Sequence, residues 1–349
     1  MATLASDVSL KKSDARVPRR FQFVTWNVWF DSFEAEARWD ALLTESLASK
    51  PAIVCFQEVT AEFHAQCIIH PAILAGGYKC AGLPRLHCGY DVAVWVAGGV
   101  DVLGTWTVRL PTKLGRRALI ADVLLQDKSR IRVCTVHLES MKQNASRREA
   151  QLATLLPHLK RGDPFAYFKN LEEVHQRGKT SIRSSLQLAK KKLFDGGENT
   201  LSHEANAQVK ANIPESESAT PALPLALHGV ILAGDFNLCG TWSENLMIST
   251  DNRLCDVWAH LHPDEVGWTE DTKINVMRFN IKRKHKQVRF DRVVLIKTGV
   301  DGSGGNHLPP SSQFVSPASI HLLGTDPLKG ESGIFPSDHF GLLAEFIRF

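Results

Sequence analysis

Apolar runs that stop abruptly at polar side chains recur along this chain. Phe21-Gln22-Phe23-Val24-Thr25-Trp26-Asn27 alternates and is rich in aromatic residues, which predicts a strand ending at Asn27. Ala35 to Leu47 carries apolar residues at helical spacing, with acids early, and stops before Pro51. Ala52-Ile53-Val54-Cys55-Phe56 is a continuous apolar run, the mark of a buried strand, and it ends at Gln57-Glu58. Tyr90 to Val96 and Ala118 to Leu125 predict two more strands, paired and antiparallel. Ile131 to Leu138 predicts another, ending at His137, Glu139 and Ser140, and Ala145 to Leu159 is an amphipathic helix. Val230-Ile231-Leu232-Ala233-Gly234 runs into Asp235-Phe236-Asn237, and strands follow at Arg289 to Ile296 and Phe340 to Phe349.

Two stretches lack this rhythm. Residues 1–20 are polar and charged and predict a disordered lead. A segment at about 160–226 is rich in Lys, Ser, Asn and Glu, which predicts a low-order insertion, with a basic helix over Ser184 to Phe194. Apolar strands on both sides of it complete one set of polar strand ends. The expectation is therefore one domain over 21–349 rather than two joined by a linker.

Composition narrows the class. Of 349 residues, 44% are hydrophobic and 22% charged, ordinary for a globular chain with a real core. No apolar run approaches the roughly 20 residues of a membrane span, so no membrane role is expected. Seven cysteines without a C-x-x-C pair fit a reducing compartment and offer no zinc spacing. The net charge of +4 does not by itself argue for nucleic acid, so its distribution matters. Arg278, Lys282, Arg283, Lys284, His285, Lys286 and Arg289 form the densest basic run, expected on a loop near the strand ends. It reads as a phosphate-backbone rail or a nuclear signal, against a solvated basic loop.

The polar strand ends are Asn27, Glu58, His137 with Glu139, Asp235 with Asn237, and Asp291 within Arg289-Phe290-Asp291-Arg292. Pro336-Ser337-Asp338-His339 precedes the last strand. Each has a plain structural alternative: turn residues at Asn27, Asp235 and Asn237, a helix-start carboxylate at Glu58, a core histidine at His137, a cap at Ser337-Asp338. Asp291 resists such a reading, because a buried charge needs a partner. Together the set fits metal-assisted attack of water on phosphorus. Glu58 suits a hard cation such as Mg²⁺, Asp235 a water-activating carboxylate, and Asn27 and Asn237 neutral hydrogen-bonding groups around the phosphate. His339 suits a cationic donor, with Asp291 as the carboxylate that orients it.

Thr25-Trp26-Asn27, Phe56-Gln57-Glu58, Gly234-Asp235-Phe236-Asn237 and Ser337-Asp338-His339 resemble, in their order, the motifs of the endonuclease/exonuclease/phosphatase superfamily. Val136-His137-Leu138-Glu139-Ser140, Cys255-Asp256-Val257-Trp258, Thr269 with Asp271-Thr272, and Phe335 to Leu343 resemble its tyrosyl-DNA phosphodiesterase branch, in plant or protist form. That resemblance implies a four-layer α/β sandwich, two mixed β-sheets packed face to face with helices outside. It implies Glu58 as Mg²⁺ ligand (Mn²⁺ substituting), with Asp338 near the metal. Asp235 and Asn237 then handle the nucleophile, Asn27 and His339 stabilise the phosphorane, Asp291 orients His339, and His137 and Ser140 border the phosphate. The implied substrate is a DNA 5′ end carrying a tyrosyl or peptide adduct left by a topoisomerase. The implied protein is monomeric, nuclear and secondarily cytoplasmic. The alternative within the superfamily is an RNA exonuclease or deadenylase, or a lipid or sugar phosphate hydrolase. Departures from the branch are Cys239 in place of an arginine and Glu270 in place of an aromatic residue.

Overall fold

Alternation along the strands sends successive side chains to opposite faces, and that alternation builds the layers. The computed structural model describes residues 19–82, 89–161, 171–173, 227–297, 315–331 and 333–348. In chain order the strands are β1 (Arg19–Asn27), β2 (Ile53–Val59), β3 (Lys79–Gly82), β4 (Asp91–Val96), β5 (Asp101–Arg109), β6 (Arg117–Leu124) and β7 (Arg130–His137). They continue as β8 (Leu171–Glu173), β9 (Leu227–Asp235), β10 (Leu254–Asp256), β11 (Glu270–Asp271), β12 (Gln287–Val288), β13 (Asp291–Ile296), β14 (Ser316–Leu323) and β15 (Gly341–Arg348). One sheet has the order β14-β15-β1-β2-β4-β3, the other β10-β13-β9-β7-β6-β5-β8, and β11 pairs with β12 as a small ribbon. The β1–β2 and β7–β9 pairs are parallel and their neighbours antiparallel, so both sheets are mixed.

Phe23, Ile53, Cys55, Val94, Leu119, Val133, Ile231, Val293 and Leu342 point between the sheets. Their neighbours in sequence, Val24, Val54 and Trp95, point outward under α1 (Ala35–Ala48), α2 (Ala61–Ile69) and α3 (Pro71–Ala75). On the far side Val230, Leu232, Phe236 and Val294 pack with Leu152, Leu155, Leu156 and Leu159 of α4 (Ala145–Arg161). The result is the expected four-layer α/β sandwich. No described helix is long and apolar enough to cross a membrane.

Several local expectations change. The strands at Tyr90–Val96 and Ala118–Leu125 do not pair. β4 pairs with β2 and β3 in one sheet, and β6 with β5 and β7 in the other. Both runs are apolar on two faces, so their pattern carries no record of which sheet they join. β1 begins at Arg19, opposite Arg348, so the polar lead ends two residues earlier than expected. Residues 1–18 and most of the segment at 160–226 lie outside the described residues. Of that segment, Leu171–Glu173 forms β8 against Trp106–Val108 of β5.

Gly234 is required by geometry. Its φ is +132°, and a Cβ there would stand 2.0 Å from the Val136 carbonyl oxygen on the parallel neighbour. That close approach brings the end of β9 against β7. Gly234→Ala combines backbone strain with overpacking, for an expected loss of about 2–5 kcal/mol. A urea-unfolding midpoint equal to wild type would contradict this.

Candidate active site

The polar strand ends gather at one end of the cleft between the sheets. Asn27 closes β1, Glu58 lies near the end of β2, His137 closes β7, Asp235 closes β9 and Asp291 opens β13. Asp291 sits opposite Asp235 in register, and Asp235 beside His137. His339 lies two residues before β15, on the other sheet. Burial here is nearly complete, with Asn27, Asp235, Asp291 and Asp338 at 3% exposure or less.

Strand alternation alone does not aim all these groups. Glu58 has φ 61° and Asn237 φ 51°, both left-handed. β2 shows an irregularity between Phe56 and Val59, where Gln57 turns inward to donate to Thr25 and Thr135. The Glu58 carboxylate accepts from the Phe30 backbone N–H at 3.1 Å. After β9 the chain turns so that the Asn237 N–H donates to Asp235 Oδ1 at 2.8 Å and its amide to the Leu138 carbonyl at 3.2 Å. Phe236, between them, is buried in the outer core. Left-handed non-glycine residues are strained, and these two are held in place by the hydrogen bonds around them.

The Ser337-Asp338-His339 loop is tied to β1. Trp26 Nε1 donates to the His339 carbonyl at 2.8 Å, and the Ser337 hydroxyl donates to the Asn27 carbonyl at 2.6 Å. Ser337 is therefore a clamp between the loop and β1 rather than a helix cap. Asp291 is held by Thr269, whose Oγ1 accepts from the Phe290 and Asp291 N–H groups, and whose carbonyl accepts from Phe340 N–H. His339 Nδ1 then meets Asp291 Oδ2 at 2.7 Å. Burial opposes a charged ring, but Asp291, Asp338 and Asp235 outweigh it and hold the His339 imidazolium well above the ordinary histidine range. Asp235 lies below its usual value. Burial acts against its charge, and His137, His339, Asn237 N–H and the Asn27 amide (3.1 Å to Oδ2) overcome that penalty.

His137 is set differently. Arg116 donates to its Nδ1 at 2.9 Å, which leaves the ring proton on Nε2, 3.4 Å from Asp235 Oδ2. Burial and Arg116 hold this ring neutral, well below the ordinary range. Arg116 also donates to Ser140 Oγ at 3.0 Å and stacks over Tyr90, which in turn meets the His137 ring and the parallel, half-exposed ring of Phe30. Arg116 and Tyr90 are site residues that sequence reasoning missed. Each stands just before or at the start of a strand, and only the fold brings them to His137. Glu139 faces away, accepting from Thr112 and the Lys113 N–H.

Glu58 and Asp338 fit a cation. Burial and the nearby Asp338 carboxylate push Glu58 up to about 7. Burial likewise raises Asp338, whose Oδ1 is buried with no hydrogen-bond partner. A buried carboxylate with an unpartnered oxygen, near a second and largely buried one, calls for positive charge, and their hard oxygens suit a divalent ion. Among the described residues, Asp235, Asp291 and His339 also place donor atoms within 4.8 Å of one another. There His339 Nδ1 is already bonded to Asp291 and the ring is held charged, which disfavours it as a ligand.

The basic run is not a free loop. Arg278 and Lys282 belong to α7 (Val276–Lys282), which among the described residues follows the helices α5 (Leu246–Ser249) and α6 (Val257–Leu261). Arg278 pairs with Asp338 and Glu270, Lys286 with Glu270, and Arg289 with Asp256. Lys282, Arg283 and Lys284 are exposed.

The chain resembles known proteins in sequence and in fold. The Xenopus tropicalis tyrosyl-DNA phosphodiesterase 2 is 35% identical over 127 residues, 36% of this chain and 29% of that protein. The Gallus gallus protein of the same name is 25% identical over 329 residues, 93% of this chain and 66% of its own length. The chain thus spans less than two thirds of these relatives. Among solved structures, D. rerio TDP2 complexed with single-strand DNA product superposes with a TM-score of 0.61 at 21% identity, covering 94% of this chain and 98% of that one. The human Nocturnin catalytic domain superposes with a TM-score of 0.53 at 17% identity, covering 96% and 95%. Both show the shared fold. The model of the Endonuclease/Exonuclease/phosphatase family matches residues 24–339, so the chain belongs to that family and carries its hydrolase fold.

Proposed function

We propose that residues 21–349 form one catalytic domain, a Mg²⁺-dependent phosphodiesterase. It hydrolyses the bond between a DNA 5′ phosphate and a tyrosine left by a trapped topoisomerase. The observation that carries the reading is the convergence of Asn27, Asp235, Asp291 and His339 beside the Glu58–Asp338 carboxylates. The choice of substrate is supported by the tyrosyl-DNA phosphodiesterase 2 relatives.

Glu58 would hold the cation with Asp338 close by, Mn²⁺ substituting for Mg²⁺, and the ion would supply positive charge against the phosphate. Asp235 is the ionised carboxylate that takes the proton of the attacking water. Asn237 N–H and the Asn27 amide fix its two oxygens. The water oxygen bonds to phosphorus as the bond from phosphorus to the tyrosine oxygen breaks. The tyrosine leaves as a phenolate, a capable leaving group because its pKa is only about 10. His339 has one ring N–H on Asp291 and uses the other to donate to a phosphate oxygen as negative charge builds. His137 donates from Nε2, and Ser140 borders the phosphate. The product is a 5′-phosphate ready for rejoining. Lys282, Arg283 and Lys284 are the exposed cations for the DNA backbone. DNA repair of this kind places the protein in the nucleus, acting as a monomer.

Purified protein with Mg²⁺ should release tyrosine from a 5′-tyrosyl oligonucleotide, and EDTA should stop it. Faster turnover of poly(A), a phosphoinositide or a sugar phosphate in the same assay would shift the assignment to another activity of this fold. Asp235→Asn and His339→Gln should each lower kcat by about 10²-fold or more while circular dichroism stays native. Asp291→Asn removes the carboxylate that holds the His339 proton. The ring's titration, followed by nuclear magnetic resonance, should therefore move toward lower pH; an unmoved titration would remove Asp291 from this role.

A further inference from the structure

Glu270 stands where the resemblance calls for an aromatic residue, and it is buried to 1% exposure in a place a lone carboxylate does not tolerate. Two cations meet it. Lys286 Nζ contacts Oε2 at 2.6 Å, and Arg278 Nε lies 3.5 Å from Oε1. Arg278 also reaches forward, donating from Nη1 to Asp338 Oδ2 at 2.9 Å. Asp338 thus has one oxygen clamped and the other, Oδ1, free in the site. The clamp rests on a fixed base. The β11–β12 ribbon pairs Glu270 with Val288 and Asp271 with Gln287. Asn275, the N-cap of α7, donates to the Ser337 carbonyl at 2.7 Å, one residue from Asp338.

Arg278 thus spends Nη1 on Asp338 and keeps its Nε within ion-pair distance of Glu270, so its charge sits between two carboxylates. We infer that Arg278 is a positioning residue for the cation site. Backed by Glu270 and Lys286, it holds Asp338 by one oxygen so that the other is presented to the ion. The inference rests on Glu58 and Asp338 being the cation's carboxylates. It removes Arg278 and Lys286 from the set of DNA-contacting groups.

The test uses the full chain. Mn²⁺ binding is measured by calorimetry, turnover on a simple chromogenic phosphodiester across a Mg²⁺ titration, and single-strand DNA binding in EDTA. Arg278→Met should weaken Mn²⁺ binding and raise the apparent Mg²⁺ requirement by roughly 10-fold or more, as loss of a partner behind a metal ligand does. Turnover at saturating metal should fall less, and DNA affinity in EDTA should hold. Arg278→Lys keeps the charge without the fork and should recover only part of the loss. Glu270→Gln should move metal binding in the same direction. Unchanged Mn²⁺ binding in Arg278→Met would overturn the proposal. Tighter binding would also overturn it, because Arg278 would then merely compete with the cation. Loss of DNA affinity with normal metal binding would return Arg278 to the phosphate rail. Glu58→Ala separates the two layers of inference: wild-type Mn²⁺ binding there would overturn the cation site itself, whereas its loss there, with binding intact in Arg278→Met, would overturn only the positioning role.

Discussion

The contact between Asp291 and His339 spans the two sheets. Asp291 opens β13 on one, and His339 leads into β15 on the other. At 2.7 Å it ties a strand of one sheet to the loop that leads into a strand of the other. The fixings around it serve that contact: Trp26 and Ser337 lock the His339 loop to β1, and Thr269 ties both Asp291 and Phe340. Removing one member of a buried pair typically costs about 3–5 kcal/mol, because the other charge is stranded. The same contact also holds the His339 ring in its charged form. Stability and chemistry are therefore linked at this one place.

The site carries strain as well as charge. Glu58 and Asn237 both take left-handed conformations, and both are aimed into the cleft by them. Conformations of that kind persist where surrounding contacts outweigh their cost of about 1–3 kcal/mol each. Here the contacts are the Phe30 N–H on Glu58, and the Asp235 and Leu138 oxygens on Asn237. The two histidines show how surroundings divide labour between identical side chains. An arginine on His137 and a carboxylate on His339 drive one ring neutral and the other charged. One can then donate without changing local charge, while the other carries a positive charge in the cleft.

Much of this was legible in the chain. Apolar runs, alternating as in β1 or continuous as in β2 and β9, predicted β1, β2, β7, β9, β13 and β15, because strand burial imposes such patterns whatever the partners. Polar residues at the ends of such runs identified Asn27, Asp235, Asp291 and His339, because a charge at a core strand's end demands a reason. Partnership was not legible. Tyr90–Val96 and Ala118–Leu125 look alike in composition and belong to different sheets, since a strand buried on both faces records burial and not its neighbour. Arg116 and Tyr90 gave no signal, as each acquires its role only beside His137.

The basic run marks the boundary most clearly. Its sequence determined that many cations lie near the site, because charge is a property of composition. Only the tertiary structure decided that Arg278, Lys286 and Arg289 are spent on Asp338, Glu270 and Asp256, leaving Lys282, Arg283 and Lys284 outward. Whether a cation meets solvent, a phosphate or a buried carboxylate depends on which distant segment folds against it. Local sequence sets the charge; long-range packing sets its partner.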